Sequence, residues 1–182
     1  MKKLIVSLLF VVAGIGGTRA QSNTLLVYGS VGFDSRKTGS STVSSYNISP
    51  GVGYQWNDNW TGGLNLNVSG AQTTTDKTSA FSVGPFIRYT QPLAGIFAIY
   101  GQLNTNYLSG KVGDTNFSGF GATLFPAIGV NLKKSFALNF TFGSLSFTSQ
   151  KLTGSANATT NFGLSFGSGA GFGISKNFGL KK

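Results

Sequence analysis

Hydrophobic and polar residues alternate along most of the chain, most clearly near its end. Between Asn161 and Phe178 one parity carries mainly Phe, Leu and Ile, whereas the other carries only Gly, Ser and Asn. Because side chains alternate across a β-strand, one face of this strand is apolar and the other is small, polar and uncharged. A soluble protein would place charges on its polar face. The pattern therefore favours lipid on one side of the strand and a narrow hydrated lumen on the other.

The same alternation predicts eight strands. In the seventh, which begins at Phe136, the parity slips between Phe142 and Leu145, and this predicts a bulge near Gly143–Ser144. The expected fold class is all-β: an eight-stranded antiparallel transmembrane up-and-down β-barrel, preceded by a cleavable signal peptide. The other seven strands are expected at about Thr24–Ser35, Ser45–Trp56, Trp60–Ser69, Phe81–Gln91, Ile96–Leu108, Phe117–Leu132 and Asn161–Phe178.

The connections between these strands are expected to alternate in length, with short turns on the periplasmic side and longer loops outside. The short ones are Asn57–Asn59, Pro92–Gly95 and Lys133–Lys134. The longer ones, rich in Thr, Ser, Gly and Lys, are about Arg36–Ser44, Gly70–Ala80, Ser109–Asn116 and Thr148–Thr160.

Outward-facing aromatic residues are expected in two girdles, one at each membrane interface. The periplasmic girdle comprises Tyr54, Trp56, Trp60, Tyr89, Phe97, Phe136 and Phe178. The outer girdle comprises Phe33, Tyr46, Phe81, Tyr107, Phe120 and Phe162.

Residues 1–20 have the three parts of a secretory signal. Lys2 and Lys3 precede a short apolar run, and a small-residue cleavage site follows between Ala20 and Gln21. A transmembrane helix anchor is the alternative, but the apolar run is shorter than the roughly 20 residues that a bilayer needs. The predicted organisation is a signal peptide at 1–20 and an outer-membrane barrel at 21–182.

Composition narrows the chemistry that the chain could perform. The net charge is +10, and removing Lys2, Lys3 and Arg19 with the signal leaves +7. An exported chain is not expected to bind nucleic acid, despite this basic charge. There is no histidine or cysteine, and the only acidic residues are four aspartates outside the strand centres. We therefore expect no enzymatic activity, cofactor or metal site.

Arg88 is the one charge predicted to point into the lumen from well within a strand. On the next strand Tyr100 and Gln102 share this inward parity, which makes the three residues a possible polar site in the lumen. The arginine could serve as a selectivity charge or a ligand contact. It could also simply be hydrogen-bonded to Tyr100, Gln102, lumen carbonyls and water, and this second interpretation is favoured.

Three stretches resemble small bacterial outer-membrane β-barrel proteins of the outer-membrane β-barrel domain or porin family. They are SYNISPGVGYQW at Ser45–Trp56, FSVGPFIRY at Phe81–Tyr89 and FGISKNF ending at Phe178. The resemblance implies residence in the outer membrane of a Gram-negative envelope and contact with its lipid. It also implies insertion by the barrel-insertion machinery, for which Phe178 would be the recognised aromatic residue.

The leading functional hypothesis is an integral outer-membrane barrel with a structural or surface-interaction role. Eight strands leave an interior just wide enough for side chains, so the lumen is expected to be largely closed. The small inward residues keep a narrow pore or conduit for small solutes or lipophilic molecules as the alternative. A secreted soluble barrel with an apolar ligand is less expected, because neither strand face is charged. The sequence does not identify a surface ligand for the longer loops.

Overall fold

Eight strands and one short helical turn make up the part of the chain that the structure describes. The computed structural model describes residues 23–39, 41–73, 76–93 and 95–180, so the predicted signal peptide and its cleavage site at Ala20 and Gln21 lie outside the described residues. A single 3-10 turn, Lys133–Ser135, precedes the seventh strand. The strands are β1 Thr24–Thr38, β2 Ser41–Gln55, β3 Trp60–Gln72, β4 Lys77–Pro92, β5 Phe97–Val112, β6 Thr115–Asn131, β7 Phe136–Leu152 and β8 Thr159–Gly179.

Each strand pairs antiparallel with the next, and β8 returns to pair with β1, which closes the sheet into a barrel. The all-β, eight-stranded antiparallel barrel predicted from the sequence is therefore confirmed. No helix in the described ranges is long and apolar enough to cross a membrane.

The prediction of four long loops is wrong, because the strands extend through most of those segments. Thr38 pairs with Ser41 and Val112 pairs with Thr115, so only two residues separate the paired strands at each of these places. Gly39, Gly113 and Gly154 adopt positive φ angles that reverse the chain in three of these connections. Threonine and serine in the predicted loop segments instead continue the pairing of the strands. Threonine in particular is β-branched and fits a strand as well as a polar loop.

The bulge predicted in β7 is present. The register of β7 against β6 shifts between Leu124 and Ala127, and its register against β8 shifts between Thr141 and Gly143. The shift places Leu145 and Phe147 on the outer face, where both are exposed. β8 is also irregular at this level, where Gly167 has a φ of 69°. The sequence alternation of β8 did not predict this second irregularity.

The outer face of the barrel is apolar around its whole circumference. Leu66 on β3, Leu103 on β5, Ile128 on β6 and Leu138 on β7 are all exposed. Between Trp60 and Val68 the outward positions of β3 cover about nine residues, the length of strand that crosses a bilayer. Since the strands are 13 to 21 residues long, polar ends project beyond this apolar belt.

Aromatic side chains lie on the outer face at both ends of the belt. At the end near the chain termini, the ring centroids of Trp60 and Tyr89 are 4.9 Å apart. At the opposite end, Tyr107 and Phe120 pair across β5 and β6 with their centroids 5.7 Å apart. Both pairs meet edge to face, the arrangement that the quadrupoles of the rings favour. At each end of the belt, two of the outward aromatic positions predicted from the alternation are therefore in contact across neighbouring strands.

Lys176 is the only charged residue at an outward position of the apolar belt among the described residues. It lies opposite Phe136 on β7, two residues before Phe178. Its Nζ is 4.5 Å from the ring centroid of Phe136 and 5.0 Å from that of Phe178. Two aromatic faces thus shield the ammonium group and offset part of its loss of hydration.

Replacing Leu124 with arginine should destabilise the barrel, whereas the same change at its neighbour Thr123 should be tolerated. Leu124 points outward, and Thr123 lines the lumen. An arginine facing lipid near the bilayer middle costs about 2–4 kcal/mol, whereas one facing water in the lumen avoids that cost. Urea unfolding of both variants in lipid vesicles measures the difference. Equal losses of unfolding free energy would contradict the assignment of faces.

Candidate functional site: the lumen plug and the cup above it

A cluster of five inward side chains fills the lumen near its middle; we call Tyr28, Phe86, Arg88, Tyr100 and Gln102 the plug. Arg88 is 5% exposed, and its Nε donates a 2.7 Å hydrogen bond to Oε1 of Gln102. Gln102 has no exposed surface, and its Nε2 donates to the Tyr28 hydroxyl at 3.0 Å and to Asn104 Oδ1 at 2.7 Å. One glutamine therefore links β1, β4 and β5 across the lumen.

Three aromatic rings surround the Arg88 guanidinium. Its Cζ atom is 4.2 Å from the ring centroid of Tyr100, 4.9 Å from that of Tyr28 and 5.9 Å from that of Phe86. The Tyr28 and Phe86 rings also meet edge to face at 5.3 Å. Burying a cation is costly, and the electron-rich faces of these rings offset part of that cost.

Strand register brings the plug together. Arg88 on β4 lies directly opposite Gln102 on β5, and Tyr100 is two residues further along the same face. Phe86 shares the inward parity of Arg88 on β4. Tyr28 lies on β1, which is not adjacent to β4 or β5 in the sheet. Its side chain reaches Gln102 across the lumen.

Glycines on the inner faces of β2 and β3 make room for the plug rings. A Cβ atom on Gly51 would overlap the Tyr28 ring. A Cβ atom on Gly53 would come within 2.7 Å of the Phe86 ring, and one on Gly63 within 2.9 Å. Glycine is therefore required at these positions by close approach.

The lumen is also filled on the side of the plug nearest the chain termini. Leu26, Gln55 and Thr61 are all buried there, and Gln55 Nε2 donates to the carbonyl of Asp58 in the adjoining turn at 3.3 Å. Buried side chains therefore occupy the lumen on this side of the plug as well as in the plug itself.

Above the plug the lumen widens into a cavity of about 550 Å³, which we call the cup. Small polar side chains dominate its wall, and Arg88, Tyr28 and Tyr100 form its floor. None of the residues that line it is acidic. Its lining includes Ser30, Ser49, Asn65, Asn67, Ser82, Asn104, Asn106, Thr123, Asn139, Thr141, Ser144 and Ser165.

Several polar side chains of the cup wall are hydrogen-bonded to neighbouring strands. Asn65 Nδ2 donates to the Gly84 carbonyl at 2.9 Å, and Asn67 Nδ2 donates to the Ser49 hydroxyl at 2.7 Å. Asn106 Oδ1 is buried and has no hydrogen-bond partner. The wall is therefore a largely preformed polar surface.

The structure brings together the three lumen residues singled out from the sequence, Arg88, Tyr100 and Gln102. Sequence reasoning did not include Tyr28 and Phe86 in the site. Phe86 has the same parity as Arg88 on its strand, and Tyr28 has the parity opposite to the outward Leu25 and Val27, so the alternation carries the signal for both. Their contact with Arg88 depends on the closure of the barrel, which alternation alone does not specify. No cluster of metal-ligating side chains occurs within the described ranges.

Comparison with known proteins gives matches among solved structures only. No family model matches the chain, and no curated protein sequence matches it. The crystal structure of neisserial surface protein A (NspA) is similar, with a TM-score of 0.49 and 12% identity over 87% of this chain and 98% of that one. Since identity this low does not carry a role from one protein to another, we assign no property of NspA to this chain.

Replacing Gly51 with valine should displace the Tyr28 ring and loosen the plug. Overpacking a filled interior costs about 1–3 kcal/mol. Gly101→Val is a matched control, because a Cβ atom at Gly101 has open space around it. Urea unfolding should show a loss of unfolding free energy for Gly51→Val and little change for Gly101→Val. A stable Gly51→Val protein would mean that Tyr28 is not fixed over that glycine.

Proposed function

We propose that this protein is an integral outer-membrane barrel with a structural or surface-interaction role and a lumen closed to through-flow. The observation that carries the proposal is the continuous apolar belt, bounded by aromatic rings, around a closed sheet with a filled interior. A closed barrel satisfies the backbone hydrogen bonds of its strands internally, which is what the hydrocarbon core requires. The secretory pattern of residues 1–20 supports export to the envelope.

The belt distinguishes a membrane barrel from a soluble one. Exposed outward side chains such as Leu64, Ile87, Ile99 and Leu145 come from four different strands. The one outward charge that the described residues place in the belt, Lys176, is covered by aromatic rings. A soluble barrel would need polar groups over this surface to remain dispersed in water. The belt therefore supports outer-membrane lipid as the main partner of the chain.

The plug supports the closed state and argues against the alternative of a simple pore. Arg88 and Gln102 are buried in the middle of the lumen, and the end near the termini is filled by further side chains. We assign no catalytic role to this cluster, because it contains neither a carboxylate nor a histidine. The strand ends beyond the outer girdle, rich in Ser, Thr and Lys, are then the surface that faces the medium.

The predicted role of Phe178 in recognition by the barrel-insertion machinery remains part of this proposal. Phe178 lies in β8 and pairs with Leu25 of β1, at the closing strand pair of the barrel. An aromatic residue at this strand pair lies where the sheet must close during insertion.

The refolded 21–182 protein should insert into planar bilayers without producing discrete conductance steps. Removing two rings of the plug together with the leucine below it, with Leu26→Ala, Tyr28→Ala and Phe86→Ala in one protein, should open the lumen and produce such steps. Folding of each protein is checked by its heat-dependent shift on a detergent gel.

The matched control is Tyr107→Ala with Phe120→Ala. These residues also form an edge-to-face tyrosine–phenylalanine pair, but on the outer face of the barrel. The control should remain silent. Channels in the wild-type protein would contradict the closed lumen, and a water-soluble mature protein would contradict the membrane assignment.

A further inference from the structure

The strands β1 and β8 pair along only part of their length. Their register runs for six pairs, from Thr24 opposite Gly179 to Gly29 opposite Ile174. Above this point β1 continues to pair with β2 as far as Thr38, and β8 continues to pair with β7. Among the described residues no further pair joins β1 to β8. The barrel wall therefore contains a seam, bordered by residues 30–38 of β1 and 159–173 of β8.

Outward side chains beside the seam are more exposed than those elsewhere in the belt. Val31 and Phe33 on β1 are 79% and 78% exposed, and Leu164 on β8 is 76% exposed. Leu66 on β3 and Ile128 on β6 are 40% and 38% exposed. The difference arises because residues on an unpaired edge lack a neighbouring strand. An apolar cleft consequently opens at the level of the outer half of the membrane.

The seam leads into the cup. Gly29 and Ser30 on one border, and Gly171 and Gly173 on the other, all line the cup. Unpaired backbone groups at membrane depth persist where they border a water-filled cavity or another protein strand. The cup supplies such a cavity, so the seam connects a hydrated chamber with the surrounding lipid.

Arg88 lies at the foot of the seam. Its guanidinium is 4.9 Å from the ring of Tyr28, the residue before Gly29, where β1 and β8 separate. Of the five N–H donors of the guanidinium, the hydrogen bonds of the described residues use only the one on Nε, which goes to Gln102. No acidic residue lines the cup to neutralise the charge. The floor of the cup is therefore complementary to an anion.

We propose that the cup and the seam together bind a single-chain amphiphile with an anionic head group, of the class of long-chain carboxylates. The carboxylate accepts hydrogen bonds from the two amino groups of Arg88 in the cup, and the alkyl chain passes through the seam between β1 and β8 into the outer leaflet. The proposal rests on the membrane location proposed above and adds a ligand site to it.

A second copy of the chain is the competing occupant of the seam, because open strand edges can pair with one another. The border formed by β8 is unsuited to this pairing. Its register against β7 shifts at this level, and Gly167 in it has a positive φ angle. Irregularities of this kind turn an edge away from continuous pairing. The amphiphile, by contrast, matches the buried cation, the polar cup and the apolar cleft.

The first test measures retention of palmitate by the refolded 21–182 protein in lipid nanodiscs, using native mass spectrometry. The wild-type protein should retain one palmitate and should not retain methyl palmitate, which has the same chain without the charge. Arg88→Gln should weaken palmitate retention by about tenfold or more, and Arg88→Lys should weaken it less, because it keeps the charge. The heat-dependent gel shift checks that each variant is folded.

The second test closes the foot of the seam without touching Arg88. A Cβ atom at Gly173 would lie 3.9 Å from the Cβ of Ser30, a separation that suits a disulfide. Since the chain has no cysteine, Ser30→Cys with Gly173→Cys can form only this bond. Oxidation should abolish palmitate retention, and reduction should restore it. Ser109→Cys with Ser118→Cys, across the continuous β5–β6 pair, is the control and should retain palmitate in both states.

Three results would overturn the proposal: equal retention of palmitate and methyl palmitate, unchanged retention after oxidation of the seam disulfide, or a palmitate-independent dimer in the mass spectrum. A folded, inserted and silent barrel that retains no palmitate would overturn this inference and leave the proposed membrane function intact. A protein that fails to insert would overturn the proposed function itself.

Discussion

The structure depends on one steric constraint, the small inner circumference of a sheet closed by eight strands. The interior of such a barrel is just wide enough for side chains to fill. At several inward positions even a Cβ atom would strike the backbone of the neighbouring strand: on Gly84 it would meet the carbonyl of Thr105, and on Gly119 that of Ser149. Glycine at these sites permits the curvature of the closed sheet. At other inward positions glycine leaves space that large side chains can occupy. The plug rings occupy the space above Gly51, Gly53 and Gly63.

This constraint divides the lumen into two unequal halves. Large inward side chains fill the half near the termini, whereas asparagine, serine, threonine and glycine line the other half. The division places Arg88 at the boundary, held by Gln102 and three aromatic rings. A buried cation with no carboxylate beside it is costly, and the rings and the glutamine offset only part of that cost. The anionic ligand proposed for the cup would offset more of it.

Much of the fold could be predicted from the sequence, because apolar residues alternate with small polar residues along most of the strands. The bulge in β7 followed from the slipped parity after Phe142. The four long loops were predicted wrongly. Thr and Ser suit both exposed strands and loops, so composition alone could not distinguish a strand from a loop in these segments. Within the site, the inward parity of Arg88 and Gln102 was readable, whereas their contact with Tyr28 was not. The parity of a residue specifies the face of the strand on which it lies. The distance between residues on opposite sides of the lumen depends on how the sheet closes into a barrel. The seam could not be predicted from the sequence for the same reason. The sequence of β8 alternates regularly through Phe166, Phe172 and Ile174. Only the register of β8 against β1 shows where their pairing stops.

In the outer membrane proposed above, the covered lysine on the outer face would determine how deeply the barrel lies in the bilayer. Lys176 has Phe136 and Phe178 as immediate neighbours, at the girdle nearest the chain termini. If the barrel moved outward by one pair of residues, this ammonium group would approach the hydrocarbon core, where a charge is expensive. If it moved inward, the apolar side chains of the opposite girdle would leave the outer interface less well matched. In that setting a single cation between two aromatic rings would fix the depth of the barrel and keep the foot of the β1–β8 junction at a constant level within the membrane.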